Sequence, residues 1–296
     1  MAKSEPETFS EVPQRVSEWR RFRKVFLTRP PVMFGLVILA ILVLAAIFAN
    51  WFAPYEPNQQ YMDEALQQPS AQHFLGTDQF GRDTFSRLIF GSRIALIVGF
   101  ACVLIAALIG VTLGLLAGYF GGLTSMLTMR FIDTMMAFPL ILLALIIAGV
   151  LGGGLKNVII ALSIATIPPY ARVVNGQALS VKESDFITAE RAMGASNPRI
   201  IIRHILPNVL PAIIVLITLE LGQLILAEAG LSFLGIGIET PTAAWGSMVY
   251  DGYRYLITNP ILSLAPGVAI ILVVFAFNMV GDGLTDALDP RLRGTL

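Results

Sequence analysis

ESDFITAERAMGASNPRIIIRHILPNVLP, residues 183–211, is a polar connector between two long apolar segments of the chain. Ser180 and Glu183 have the spacing of a capping box, which marks the start of a helix. Gly194 can end that helix in the left-handed conformation, and Asn197 can cap a second helix whose next residue is a proline. The connector is therefore predicted to fold as a compact helix-turn-helix.

The rest of the chain has the composition of a membrane protein. Its 296 residues are 55% hydrophobic and 14% charged, and the mean hydropathy is +0.74. Because a membrane-spanning helix needs about 20 apolar residues, the apolar stretches predict six spans. These spans cover residues 32–53, 92–118, 131–151, 157–174, 208–231 and 261–281 approximately. We therefore predict an all-α integral membrane protein with a six-span domain over residues 32–283.

The placement of Lys and Arg predicts how the chain is oriented. Basic residues remain preferentially on the cytoplasmic side of a membrane. With the N-terminus inside, fifteen of the twenty Lys and Arg residues fall in inner segments and five in outer ones. Both termini, including the tail 284–296, and the connector are therefore predicted to be cytoplasmic, in the inner membrane of a bacterium or the cytoplasmic membrane of an archaeon.

Residues 1–31 form a basic segment ahead of the first span. Trp19, Phe22 and Phe26 would lie on one face of a helix among several arginines. Such a helix can lie in the headgroup region of the bilayer, where anionic lipids attract its basic side. An unstructured basic tail is an equally good interpretation.

The predicted spans contain a regular pattern of small residues and several prolines. The second span carries a small residue at every fourth position, and these are Ala106, Gly110, Gly114 and Gly118. Such a face allows two helix backbones to approach closely, which predicts a helix packed inside a bundle. Pro139, Pro168 and Pro169 are expected to kink or interrupt their helices.

Ionisable residues within the spans are few. Glu220 lies near the middle of the fifth span, on the same side of the helix as Gln223. Charged groups at this depth are costly, and they commonly mark a transport pathway. We expect these two residues to face a pathway, where Glu220 would meet a cationic group of the cargo; a buried structural hydrogen bond is the alternative.

Several kinds of chemistry find no support in the sequence. Cys102 is the single cysteine, and the two histidines, His73 and His204, are far apart along the chain. No metal site, catalytic residue or cofactor-binding residue is therefore predicted. The chain also lacks GxxxxGK[ST], so ATP has to be bound by other chains.

The connector resembles the EAA loop of the membrane subunits of ABC importers. Its pattern is Glu-Ala-Ala, three residues, Gly, nine residues, Ile, any residue, Leu-Pro. The matching residues are Ala189, Gly194, Leu206 and Pro207; Thr188 replaces the Glu, Glu190 the second Ala, and His204 the Ile. The resemblance implies a coupling loop over residues 180–207. The residues it implicates in ATPase coupling are Phe186, Ala189, Glu190, Ala192, Met193, Gly194, Leu206 and Pro207.

Three further stretches are similar to the C-type permease of the dipeptide/oligopeptide family of ABC importers. They are GTDQFGRDTFSRLIFGSR before the second span, GLSFLGIGIETPTAAWGSM after the fifth, and FNMVGDGLTDALDPRLRG at the C-terminus. Within the first two, Asp78, Arg82, Asp83 and Trp245 are candidates for extracytoplasmic docking. The resemblance implies dipeptide or oligopeptide cargo, with a nickel chelate, glutathione or an opine-like compound as alternatives.

The same resemblance implies an assembly in the lipid bilayer. A homologous B-type permease would complete the pathway, and two ATPase subunits, identical or different, would bind ATP and Mg²⁺. An extracytoplasmic binding protein would deliver the cargo, and no nucleic acid is expected. The rival from another class is a proton-coupled secondary transporter, in which Glu220 or Asp133 would relay protons. A membrane scaffold without a transport role is a third interpretation.

Overall fold

The computed structural model of the protein describes residues 26–288, and this part of the chain is built from helices. The α-helices are α1 (Pro30–Ile47), α2 (Ala49–Phe52), α3 (Thr84–Phe120), α4 (Gly122–Met136), α5 (Leu140–Leu151), α6 (Leu155–Lys182), α7 (Asp185–Ala192), α8 (Asn197–Ile200), α9 (Leu206–Phe233), α10 (Trp245–Tyr253) and α11 (Ile261–Leu288). A short 3₁₀-helix covers Met62–Glu64, and a π-helical turn covers Ile201–Ile205. The interfacial helix and the tail predicted at the two ends lie largely outside the described residues.

Five of the described helices are long and apolar enough to cross a membrane. They are α1, α3, α6, the helical run 197–233 that ends in α9, and α11. α4 and α5 pass the same test only as a pair, so the described residues hold up to six candidate spans. Many large apolar side chains on these helices are exposed, among them Leu108 and Val150. Because lipid is as apolar as these side chains, a bilayer explains their exposure.

The core of the bundle is the contact between α3 and α6, as the small residues of the second span predicted. Ala106, Gly110, Gly114 and Gly118 are all buried on this side of α3. A Cβ atom on Gly114 would lie 2.6 Å from the carbonyl oxygen of Ala171 in α6. The two backbones therefore touch where only glycine leaves room, and α9 packs against both helices.

The prolines in the spans differ in whether they interrupt a helix. The third predicted span is broken into α4 and α5, which meet at an angle of 90°. Pro139 is the residue that precedes α5, so the break lies where the sequence predicted an interruption. In contrast, α6 runs without interruption through Pro168 and Pro169. The expected interruption there is wrong, and the extensive packing of α6 on α3 accounts for the continuous helix.

Candidate functional site

The connector contains α7, which begins at Asp185 after a sharp break from α6. Ser180 lies inside α6 and Glu183 is the C-cap of that helix, so the predicted capping box is wrong. The reason is that α6 stays packed against α3 as far as Ala178 and continues for one more turn. Ser184 then takes the N-cap position of α7 without a side-chain capping bond.

Gly194 ends α7 in the left-handed conformation, as predicted, with φ of +83°. The amide of Gly194 donates to the carbonyl of Arg191, and the amide of Ala195 donates to the carbonyl of Glu190, each over 3.0 Å. These two bonds are the Schellman motif, which satisfies carbonyls that a helix end leaves unpaired. The direction of the chain after α7 is therefore fixed by backbone hydrogen bonds.

One face of α7 is attached to the membrane bundle. Ile187 is fully buried in a hydrophobic cluster whose other members come from α3, α6, α8, the π turn and α9. Next to it, Glu190 Oε2 lies 3.5 Å from His204 Nε2. The guanidinium of Arg191 lies over the Tyr119 ring, 5.4 Å from the ring centre. α7 is thus held by apolar, ionic and cation–π contacts at once.

The opposite face of α7 is open and carries apolar side chains. Phe186 is 46% exposed and Met193 is 73% exposed. Ala189 and Ala192, which lie between them on this face, are exposed as well. An apolar face on a short helix at the end of the bundle is typical of a surface that another protein covers.

The second half of the connector leads into α9. α8 begins at Asn197, and its N-cap residue is Ser196, so the predicted cap at Asn197 is one residue away from the observed one. A π-helical turn, Ile201–Ile205, joins α8 to α9. Leu206 and Pro207 lie in the first turn of α9. A proline is tolerated there because backbone N–H groups in the first turn of a helix have no partner within that helix. Leu206 packs on the cluster that buries the inner face of α7.

At another part of the molecule, the segment 54–83 between α2 and α3 contains a buried network of charges. Arg82 Nε donates to Asp78 Oδ2 over 2.6 Å, and Arg82 Nη2 lies 3.6 Å from Asp251 in α10. Arg87 donates to the carbonyl oxygens of Pro57 and Pro241. Burial raises the pKa of Asp251 above its usual range, although both arginines act to lower it. The network therefore joins this segment to the chain that follows α9.

The side chains of Asp83 and Trp245 make further contacts at the start of α3. Asp83 caps α3 by accepting from the amide of Ser86 over 2.7 Å, and its other oxygen lies 2.8 Å from His73 Nδ1. Trp245 donates from Nε1 to the carbonyl of Leu88 over 2.9 Å. Each of these contacts fixes the start of α3 to a loop or to α10.

The candidate docking residues are therefore inside the segment and not on its surface. Arg82 is 1% exposed and Trp245 is 4% exposed, and Asp78 and Asp83 are buried as well. Sequence alone gives no reason to bury two arginines and two aspartates, since such residues are rarely buried unless they pair. In this structure their contacts connect the segment 54–83, the start of α3 and α10.

Within the bundle, Glu220 and Gln223 lie on α9. Gln223 is exposed, while Glu220 Oε2 is buried without a hydrogen-bond partner among the described residues. The hydroxyl of Tyr170 in α6 is similarly buried and unpaired, and it lies within electrostatic range of Glu220. Sequence reasoning missed Tyr170, although a phenol after two prolines inside a span was a signal. Asp133 pairs with Arg172.

This arrangement defines a class of protein: a helical membrane subunit with a polar helical connector. Comparison with known families is consistent with that class. The family described as binding-protein-dependent transport system inner membrane component matches residues 110–294. The N-terminal TM domain of oligopeptide transport permease C matches residues 17–69.

Individual relatives match nearly the whole chain. The dipeptide transport system permease protein DppC of Alkalihalophilus pseudofirmus is 45% identical over 278 residues, which are 94% of this chain and 91% of that protein. The glutathione transport system permease protein GsiD of Escherichia coli is 44% identical over 277 residues, covering 93% of this chain and 90% of that protein.

A solved structure shows a similar fold. The MetNI methionine ABC transporter in an inward-facing conformation matches 69% of this chain and 96% of its own, with a TM-score of 0.56 and 22% identity. The chain belongs to the family of binding-protein-dependent transport system inner membrane components. It is the membrane permease subunit of an ABC importer, in which separate subunits hydrolyse ATP.

Proposed function

We propose that this permease imports dipeptides or other short peptides. The two relatives are named for a dipeptide and for glutathione, which is itself a tripeptide. Both kinds of cargo are small and zwitterionic, so they share an ammonium group that an acidic residue in the pathway would attract. Glu220 and Gln223 on α9 are the pathway residues of this proposal. A second, homologous permease would line the other half of the pathway.

The proposed orientation places the connector and both termini in the cytoplasm. The excess of Lys and Arg in these segments supports it. α10 and the segment 54–83 then face the outside, where a binding protein delivers the cargo. We propose that this protein docks on the exposed surface above the buried charge network, where Tyr253 and Ile257 are among the exposed apolar residues.

α7 is the proposed coupling helix, on which an ATPase subunit docks. The observation that carries this proposal is the division of α7 into two faces. Ile187 is buried among residues of the membrane bundle, whereas Phe186 and Met193 project outward. A helix built in this way can take up motion from a partner on one side and pass it to the bundle on the other. ATP and Mg²⁺ would bind in the two ATPase subunits.

A charge placed on the outer face tests this assignment. Phe186→Glu and Met193→Glu should each lower the amount of ATPase subunit that co-purifies with the permease about tenfold, because a carboxylate would be buried in an apolar contact. Cargo uptake should fall with it. Met62→Glu is the matched control, since Met62 is 65% exposed and lies in the segment 54–83, far from the connector in sequence.

Normal behaviour of both glutamate variants would contradict the proposal. If both glutamate variants retained the full amount of ATPase subunit and transported normally, α7 would not be the docking helix. If Met62→Glu caused the same loss, the effect would come from general damage to the permease.

A further inference from the structure

Two polar side chains of the connector, Glu190 and His204, lie close together. Glu190 on α7 and His204 in the π turn place Oε2 and Nε2 3.5 Å apart. Both side chains are mostly buried, and His204 Nε2 makes no hydrogen bond to any described residue. Glu190 is the one acidic group that the described residues offer to this imidazole within ion-pair distance. Glu190 is therefore the carboxylate that lies beside a buried nitrogen without a hydrogen bond, where a polar partner is needed.

The contact between Glu190 and His204 lies where α7 could transmit motion to α9. Glu190 lies in the last turn of α7, and its carbonyl is part of the Schellman motif that ends this helix. His204 is two residues before α9, the long helix that carries Glu220. π-helical turns are rare and frequently occur at functional sites. The contact thus joins the proposed coupling helix to the turn that leads into the proposed pathway helix, beside the apolar cluster of Ile187.

A second attachment holds the same part of α7 to α3. Arg191 stacks over the Tyr119 ring, and the Tyr119 hydroxyl donates to Asn197 Oδ1 over 2.7 Å. Tyr119 is the penultimate residue of α3. Neighbouring residues of α7 therefore hold two different helices of the bundle, Glu190 holding the π turn before α9 and Arg191 holding α3.

The residue types of Glu190 and His204 also distinguish this contact. The EAA pattern has Ala where this chain has Glu190, and Ile where it has His204. Two of the three departures from the pattern therefore meet in one contact, although fourteen positions separate them. In this chain an ionisable pair stands where the pattern has two apolar residues.

We propose that Glu190 and His204 form a tether that transmits the motion of α7 to α9. Both are positioning residues, and neither touches the cargo. The proposal rests on the assignment of α7 as the coupling helix. It goes further by naming the contact through which the motion reaches the pathway.

The test uses the complete importer in proteoliposomes with its binding protein and a dipeptide. Uptake and ATP hydrolysis are measured together, and the readout is cargo transported per ATP. His204→Ala and Glu190→Ala should each lower this ratio about threefold or more, as expected for residues in contact. The double variant Glu190→Ala/His204→Ile restores the apolar pair of the EAA pattern, so its ratio should return to within about twofold of the unaltered protein.

Two controls sharpen the result. His204→Gln keeps a side-chain N–H that can donate to Glu190, and it should lose less than His204→Ala. Asp282→Ala removes an exposed acid of α11, outside the connector, and should leave the ratio unchanged. A purely local folding defect would not be repaired by adding a second substitution.

The tether is refuted if either single variant keeps the full ratio, or if the double variant is no better than the poorer single one. It is also refuted if His204→Ala releases the ATPase subunits, because the residue would then act on docking. The coupling-helix assignment itself fails by a different measurement, namely when Met193→Glu still binds the ATPase subunits normally.

Discussion

Gly194 shows how one backbone conformation orients the coupling helix. Its φ of +83° lies in a region that side chains with a branched Cβ avoid, yet an added Cβ would meet nothing within 4 Å. A substitution at this position therefore costs conformational energy without causing a clash. The two residues that follow connect this turn to α8, so Gly194 sets the direction in which the chain leaves α7.

We predict that Gly194→Val lowers transport strongly and that Gly194→Asn lowers it little. Valine is strained by about 1 to 3 kcal/mol at such a φ, whereas asparagine tolerates the left-handed region. The measurement is ATP hydrolysis stimulated by the cargo-loaded binding protein, with co-purification of the ATPase subunits as a second readout. Equal activity of the two variants would show that the left-handed turn is unimportant for coupling.

Among the elements, the contact between α3 and α6 leaves no room for an added carbon at several positions along its length. At Gly110 a Cβ atom would lie 2.6 Å from the Cβ of Tyr170, and at Gly114 it would meet a carbonyl oxygen at the same distance. Both neighbours belong to α6. Any added carbon must push the two helices apart, because backbone atoms cannot change rotamer.

Gly114→Ala should therefore destabilise the permease by about 1 to 3 kcal/mol, as overpacking does. Gly176→Ala is the matched control, because Gly176 is also helical and exposed with open space around its Cα. That control should be neutral or gain up to about 1 kcal/mol from helix propensity. Loss of the monodisperse protein on heating in detergent measures both. A Gly114→Ala protein as heat-resistant as the control would exclude close packing as the role of this face.

These elements also show what the sequence can predict. The small-residue face of α3 and the break at Pro139 depend on local patterns, and both appear in the structure as expected. The continuous helix through Pro168 and Pro169 depends on packing by a distant segment, which no local pattern records.

In the candidate sites too, features set by local sequence could be predicted, whereas features set by distant contacts could not. Gly194 was predictable because a left-handed turn needs a particular residue. The contact between Glu190 and His204 was not, because a π turn shifts the register between them. The burial of Arg82 and Asp78 was also missed, since a polar loop normally faces water and only the three-dimensional pairing of charges overrides this.

In the whole molecule, α3 and α9 run between two polar regions, and α9 also carries the proposed pathway residues. α3 begins in the buried charge network and ends at Tyr119 beside the connector. α9 begins at the π turn, and the chain after it leads to α10 and the same network. If α7 has its proposed role, its motion would displace α3 and α9. α3 is held at its other end by contacts of Arg87 with Asp78 and Pro57, so tilting is the response that we expect.

Such tilting would expose Glu220 to one side of the membrane or the other, and the final prediction concerns this residue. Its buried, unpaired carboxylate oxygen is ready to accept a donor from the cargo. Glu220→Gln should lower the uptake of a lysine-containing dipeptide about fivefold to tenfold, because a charge-assisted hydrogen bond is lost. Dipeptides with uncharged side chains should lose less.

The measurement compares initial uptake rates for both kinds of dipeptide in proteoliposomes that contain the complete importer. Glu239→Gln removes an exposed carboxylate of the loop between α9 and α10 and should leave both rates unchanged. Because the binding protein is the same in every case, a selective loss with Glu220→Gln has to arise in the permease. Unchanged uptake of every dipeptide would remove Glu220 from the pathway and would favour a structural role beside Tyr170.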